Sequence, residues 1–273
     1  MAMSFPGAVM CEGQSNRRVS TLQRRACYDL ILNMATTSIR ENLAQLQERI
    51  SAAALRVGRS VEEITLIGVS KTHPAESIRE AYEAGLRHFG ENRVQEWEGK
   101  QAGIQRLNAT WHLIGHLQSN KAARAAKLFN SVDSVDDFAL AQRLDRARGE
   151  SGVTEKMRAL IEVHIAEEET KTGVDVKELP ALADKIAELP MLELAGLMCI
   201  PPFAENPEDA RPHFRRLRVL RDELAKQLGR GLPVLSMGMS HDFEVAIEEG
   251  ATEVRVGTAL FGTRGAIGPA KMG

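Results

Sequence analysis

Lys71 closes the apolar run ITLIGVS (64–70) and opens the polar tail KTHP. A lysine leaving an apolar strand projects its amine at the strand end. Partial desolvation lowers the pKa of such an amine, and the neutral form attacks carbonyl carbon to give a Schiff base. A lysine that merely exits to solvent occupies the same kind of position, and position alone does not separate the two readings. A second chemistry shows in SMGMS (236–240) and in Gly257-Thr258. Gly238 and Gly257 permit close backbone approach, so that amide N–H groups can point at an anion. Ser240 is expected to cap the helix that follows and to offer a hydroxyl. Glycines that only relieve crowding are the alternative, but two adjacent loops of this composition favour a phosphate.

Metal chemistry finds no pattern to rest on. No HExxH occurs, and Cys11, Cys27 and Cys199 form no CxxC, so no metal site is expected. His112 and His164 read as satisfied core residues inside strands. Cys199 reads as packing near a strand end, Glu167–Glu169 as a solvated loop, and Lys121 as the start of a helix that could also approach an anion.

The elements that must position these residues alternate strand and helix. A leading helix starts near Thr37 or Ser38 and shows one apolar face through Ile39, Leu43, Leu46, Ile50, Ala53 and Ala54. Strands are expected at 64–70, 88–91, 111–115, 131–135, 159–165, 192–199, 234–237 and 253–257. Helices are expected over 74–84, 94–106, 120–128, 136–148, 177–188, 207–228 and 241–249, with a short turn after the last strand. Eight βα units in about 235 residues after Met34 predict a single (β/α)8 TIM-type barrel with a leading N-terminal helix. An open doubly wound sheet would carry GxGxxG after its first strand, and none is present. A barrel carries its chemistry at the C-terminal strand ends, where Lys71, Asn92, His116, Ser240, Arg255 and Thr258 fall.

Composition narrows the classes. The 273 residues hold 35 Lys+Arg against 37 Asp+Glu, a formal net charge of -2, which argues against a nucleic-acid binder working by bulk electrostatics. Mean hydropathy is -0.24, and no apolar run reaches the ~20 residues of a membrane helix. Three scattered cysteines in 273 residues suit a reducing, cytoplasmic setting. Residues 1–34 carry Arg17, Arg18, Arg24 and Arg25 without a periodic apolar pattern. They are read as a poorly ordered extension, or the product of a start codon upstream of Met34, in preference to an organelle-targeting segment. The barrel domain is placed at 35–273, and a monomer is expected.

Six segments together resemble the pyridoxal phosphate homeostasis proteins, the YggS/PROSC-like family. They are VSKTHP (69–74), FGENRVQE (89–96), WHLIGHLQSNK (111–121), SVDS (131–134), GLMCIPP (196–202) and LSMGMSHDFEVAIEEGATEVRVGTALFGTR (235–264). The resemblance runs from about Ser38 to Arg264, with Arg93 standing where the family commonly has Tyr. It implies a barrel like the N-terminal domain of alanine racemase, binding pyridoxal 5'-phosphate (PLP). It implies Lys71 as the Schiff-base lysine, Arg255 as partner of the pyridine nitrogen, Ser240, Gly257 and Thr258 at the phosphate, and Asn92 and Ser236 near the cofactor. It further implies storage, buffering or delivery of PLP without established turnover, with apo PLP-dependent enzymes as partners. A racemase-like enzyme, using His116 or Cys199 as its second group, is the first alternative. A sugar-phosphate-binding barrel is the second. Racemases of the related fold supply a Tyr from a second domain; here only Tyr28 and Tyr82 exist, and no second domain is expected.

Overall fold

The computed structural model of the chain describes residues 38–166 and 173–262. The extension, the Glu167–Glu169 loop and Arg264 lie outside the described residues. The leading helix α1 spans Ile39–Arg56. Ser38 is its cap: the hydroxyl accepts from the Glu41 N–H, and the Glu41 carboxylate accepts from the Ser38 N–H. Its buried face is the sextet that the periodicity marks, and each large side chain of that face adds roughly 1.5–3 kcal/mol on burial.

Eight parallel strands close a barrel in chain order. They are β1 Thr65–Val69, β2 His88–Glu91, β3 Thr110–Leu113, β4 Ser131–Val135, β5 Met157–Glu162, β6 Leu192–Met198, β7 Val234–Ser236 and β8 Glu253–Val256. Between them run α2 Ala75–Glu83, α3 Val94–Ile104, α4 Ala122–Leu128, α5 Phe138–Glu150, α6 Leu179–Ala187, α7 Arg211–Leu228 and α8 Phe243–Glu248, with α9 Thr258–Phe261 after β8. The main core lies between strands and helices, and contains the buried rings of Phe89, Phe129, Phe214 and Phe243. Where β6 meets β7 only glycine fits, because a Cβ on Gly196 would stand 1.9 Å from the Val234 carbonyl oxygen.

Side chains alternate along a strand, so residues two apart share the interior. On β5 that face is Arg158, Leu160 and Glu162; on β8 it begins with Glu253 and Arg255. The lower members are charged and meet one another, whereas Leu160 packs with Ala195, Met198 and Val234 in a small apolar plug. The upper members face the strand ends.

Five elements start or end away from the expected positions. β5 lies two to three residues earlier, so His164 follows the strand, with Val163 making only an isolated bridge to Val174. The helix expected from residue 120 starts with a 3-10 turn over Ser119–Lys121, and the one expected from 207 with a 3-10 turn over Pro207–Ala210. Asp137 caps α5 through the Leu140 N–H, which moves its start to Phe138. Ser240 does not cap α8. The helix starts at Phe243 with Asp242 at the cap position, and the Asp242 carboxylate accepts from the Met239 N–H.

Candidate functional site

At the C-terminal ends of the strands a cleft of about 480 Å³ opens. Its lining includes Lys71, Asn92, Ser240, Arg255, Gly257 and Thr258. Six of the seven residues named from sequence therefore share one cavity. The seventh, Ser236, is fully buried behind it. Arg255 Nη1 donates to Ser236 Oγ at 2.8 Å, and Nη2 donates to the Cys199 carbonyl at 2.9 Å. Ser236 thus orients the guanidinium instead of lining the cavity. Those bonds use two of the five guanidinium donors.

Lys71 sits in the turn that follows β1. The carbonyl of Ser70 accepts from the His73 N–H at 3.1 Å, and Thr72 at the third place has φ 66. A β-branched residue at positive φ is an outlier. Backbone strain of this kind costs on the order of 1–3 kcal/mol and persists where surrounding contacts impose it. The His73 ring stacks on Phe261 of α9 with centroids 4.9 Å apart, joining this turn to the loop that carries Gly257 and Thr258. Gly238 has φ 91, and a Cβ there would fall 2.6 Å from that of Ala246, so the loop after β7 turns tightly against α8. At the start of α9 the Leu260 and Phe261 N–H groups both donate to the Gly257 carbonyl at 2.9 Å, and those of Thr258 and Ala259 precede the first intrahelical acceptor.

Sequence reasoning missed Glu162, Ile200, Met239 and His241 on the cleft wall. Placing β5 too late hid Glu162 in mid-strand; ending the strand at residue 162 would have put that carboxylate at the mouth. His116 also lines the cleft, and its Nδ1 lies 3.2 Å from Asp136 Oδ2. Burial pushes the Asp136 carboxyl above its ordinary range, against the opposing pull of His116. Cys199 is fully buried, and burial pushes its thiol up to about 12 despite the nearby Arg255, which leaves it a poor nucleophile at neutral pH. Lys121 and Arg93 line a neighbouring polar cleft of about 640 Å³ that shares Asn92 and His116 with the first.

At the opposite end of the barrel, His112, Asp133 and Glu253 bring ligand-type atoms within 4.8 Å of one another. The Arg158 guanidinium reaches this group, 2.6 Å from Glu253 Oε1 and 3.0 Å from His112 Nδ1. A cation is therefore already supplied by the chain. Among the described residues no helix is long and apolar enough to cross a membrane.

The alanine racemase N-terminal domain family matches residues 36–265. A pyridoxal phosphate homeostasis protein of Aquifex aeolicus (strain VF5) is 48% identical over 224 residues, covering 82% of this chain and 97% of the relative. One from Escherichia coli (strain K12) is 44% identical over 234 residues, covering 83% and 97%. PipY of Synechococcus elongatus PCC7942, solved with PLP bound, superposes with a TM-score of 0.70 at 44% identity, covering 79% of this chain and 99% of that one. With the barrel, the lysine cleft and these relatives in agreement, the chain belongs to the family of pyridoxal phosphate homeostasis proteins, on the alanine racemase N-terminal fold.

Proposed function

We propose that this chain binds PLP in the Lys71 cleft and holds it reversibly, as a carrier that stores, buffers or delivers the cofactor. The observation that carries the reading is the meeting of Lys71, Arg255, Ser240, Gly257 and Thr258 in one cavity of about 480 Å³. The donor set fits the group: one amine, one buried guanidinium, two hydroxyls and two glycine-bearing loops. PLP supplies an aldehyde that condenses reversibly with a primary amine, releasing water. Lys71 is assigned to that capture. Ser240, Thr258 and the backbone around Gly257 are assigned to the phosphate, where hydroxyls and first-turn amides suit an anion. A guanidinium offers only donors, so toward a ring nitrogen Arg255 donates a hydrogen bond. Asn92 borders the same cavity. All of these groups come from one chain, which supports action as a monomer, and a reducing cytoplasmic setting suits the buried free thiol of Cys199.

The test is borohydride treatment of PLP-loaded protein with peptide mapping. The unmodified chain is expected to carry the label on Lys71. Lys71→Ala is expected to lose the borohydride-stable adduct with the melting temperature of the free protein unchanged. An adduct of normal yield in that variant would assign the capture elsewhere.

A second reading, a racemase-like enzyme, draws on His116 beside Asp136 in the same cleft. Cα chemistry of that kind needs an acid/base group on each face of the substrate. Tyr82 gives none, since its ring lies under Arg87 at 4.1 Å. Incubation with L-alanine in deuterated water is expected to show Cα–H exchange far below the ~1–10³ per second of ordinary turnover. Exchange within that range, lost in Lys71→Ala, would establish the enzyme instead.

A further inference from the structure

Behind Lys71 stands a buried ion pair that the assignments above do not use. Lys100 projects from α3, with its side chain 13% exposed, to Glu91 at the end of β2, which is fully buried. Lys100 Nζ donates to Glu91 Oε1 at 2.8 Å and to the Ser70 carbonyl at 2.8 Å. Ser70 Oγ donates to the same Glu91 oxygen at 2.6 Å. The Ser70 carbonyl is also the acceptor that closes the Ser70–His73 turn. Lys71 and Thr72 are the two middle residues of that turn, and Thr72 occupies a positive-φ position where glycine is the favoured residue.

We propose that Lys100 and Glu91 are positioning residues for Lys71: they grip the hydroxyl and the carbonyl of Ser70 and hold the Lys71 turn in a conformation that Thr72 would otherwise leave. The proposal rests on the reading of Lys71 as the capturing amine and names what aims it. Three elements converge on one peptide: Ser70 directly follows β1, Glu91 ends β2, and Lys100 lies one helix turn beyond Glu96 on α3. Glu91 also directly precedes Asn92 on the cleft wall. Burial pushes the Glu91 carboxyl up, and Lys100 opposes that shift, so the charge pair sustains itself only while both members are present. A pair that only stiffened the outer layer would have no reason to spend two short bonds on the residue before Lys71.

The test uses the full chain with Lys100→Met and Glu91→Gln combined, so that no lone charge is left buried. Glutamine keeps an acceptor for the Ser70 hydroxyl. Capture of PLP at Lys71, trapped by borohydride over a time course, is expected to slow by about tenfold or more, the scale of a catalytic group displaced by a fraction of an ångström. Binding of pyridoxine phosphate, which has no aldehyde, is expected to stay within about twofold. Adding Thr72→Gly is expected to restore most of the capture rate, because glycine adopts the turn without the clamp, whereas Thr72→Gly alone changes the rate little. The proposal is overturned by an unchanged capture rate in the folded double variant. It is equally overturned by failure of Thr72→Gly to restore it, or by a parallel loss of pyridoxine phosphate binding, which would mark the pair as general support. If the unmodified chain captures no PLP on Lys71, the cofactor reading falls and takes this one with it, so the two failures are told apart by the unmodified control.

Discussion

The barrel carries buried charge at both ends, and the two ends use it oppositely. At the base, Arg158, Glu253, His112, Asp133 and His88 turn inward on one another. His88 Nδ1 lies 3.1 Å from His112 Nε2, His112 Nδ1 lies 3.1 Å from Asp133 Oδ2, and Arg158 joins Glu253. At the mouth, Lys71, Arg255 and Glu162 line a cavity large enough for a small ligand. One set of charges is closed within the barrel; the other borders a cavity. The contrast separates polar residues packed within the barrel from polar residues that border a cavity at the C-terminal strand ends, the end where barrels of this kind carry their chemistry.

The sharpest way to break the comparison is Arg158→Met. It strands Glu253 in the interior, and removing one partner of a buried pair is expected to cost on the order of 3 kcal/mol. Chemical denaturation should show that loss while capture at Lys71, per folded molecule, stays unchanged; a fall in capture would mean the two ends are coupled. A smaller effect concerns acid. Burial, with added repulsion from His112 and Arg158, lowers the His88 pKa to about 4 from an ordinary 6.5. The folded state then binds fewer protons than the unfolded chain between those values. The stability that neutral His88 contributes is present above pH 6.5 and is lost as pH falls toward 4. Glu91 and Glu253, whose carboxyls burial pushes up, act in the opposite sense. The difference between His88→Gln and the unmodified chain isolates the histidine, and the variant should show the shallower decline from pH 6.5 to 4.5. The smallest effect lies outside both ends. Ser38→Ala removes the cap of α1 and should cost about 1 kcal/mol. Capture should not change, although Asn42 of the same helix donates to the Leu260 carbonyl in α9; a change in capture would place α1 within the mouth's supporting structure.

Much of this was legible in the sequence because it depends on local pattern. The α1 face, the strand ends and the lysine after ITLIGVS all follow from period and order along the chain. What was hidden depends on register around the barrel. Glu162 joins the cleft because β5 ends there, and a late boundary in an apolar run left no local mark of that. Ser236 moved from wall to support because Arg255, on the neighbouring strand, reaches back to it. The role of Lys100 is invisible along the chain, since it meets Ser70 thirty positions away. Thr72 is a threonine where the backbone favours glycine, so the sequence gives no turn signal there.

Closure of the barrel pairs Thr65–Gly68 of β1 with Glu253–Val256 of β8, placing Ile67 opposite Arg255. These strands come from opposite ends of the described chain, and contacts of such long range form late and slowly in folding. Lys71 follows one of the two strands and Arg255 lies on the other. The two halves of the cleft therefore come together only when that seam is made. A ligand bound across that seam would bind the closed state alone, so that its free concentration would add to the stability of the closed ring.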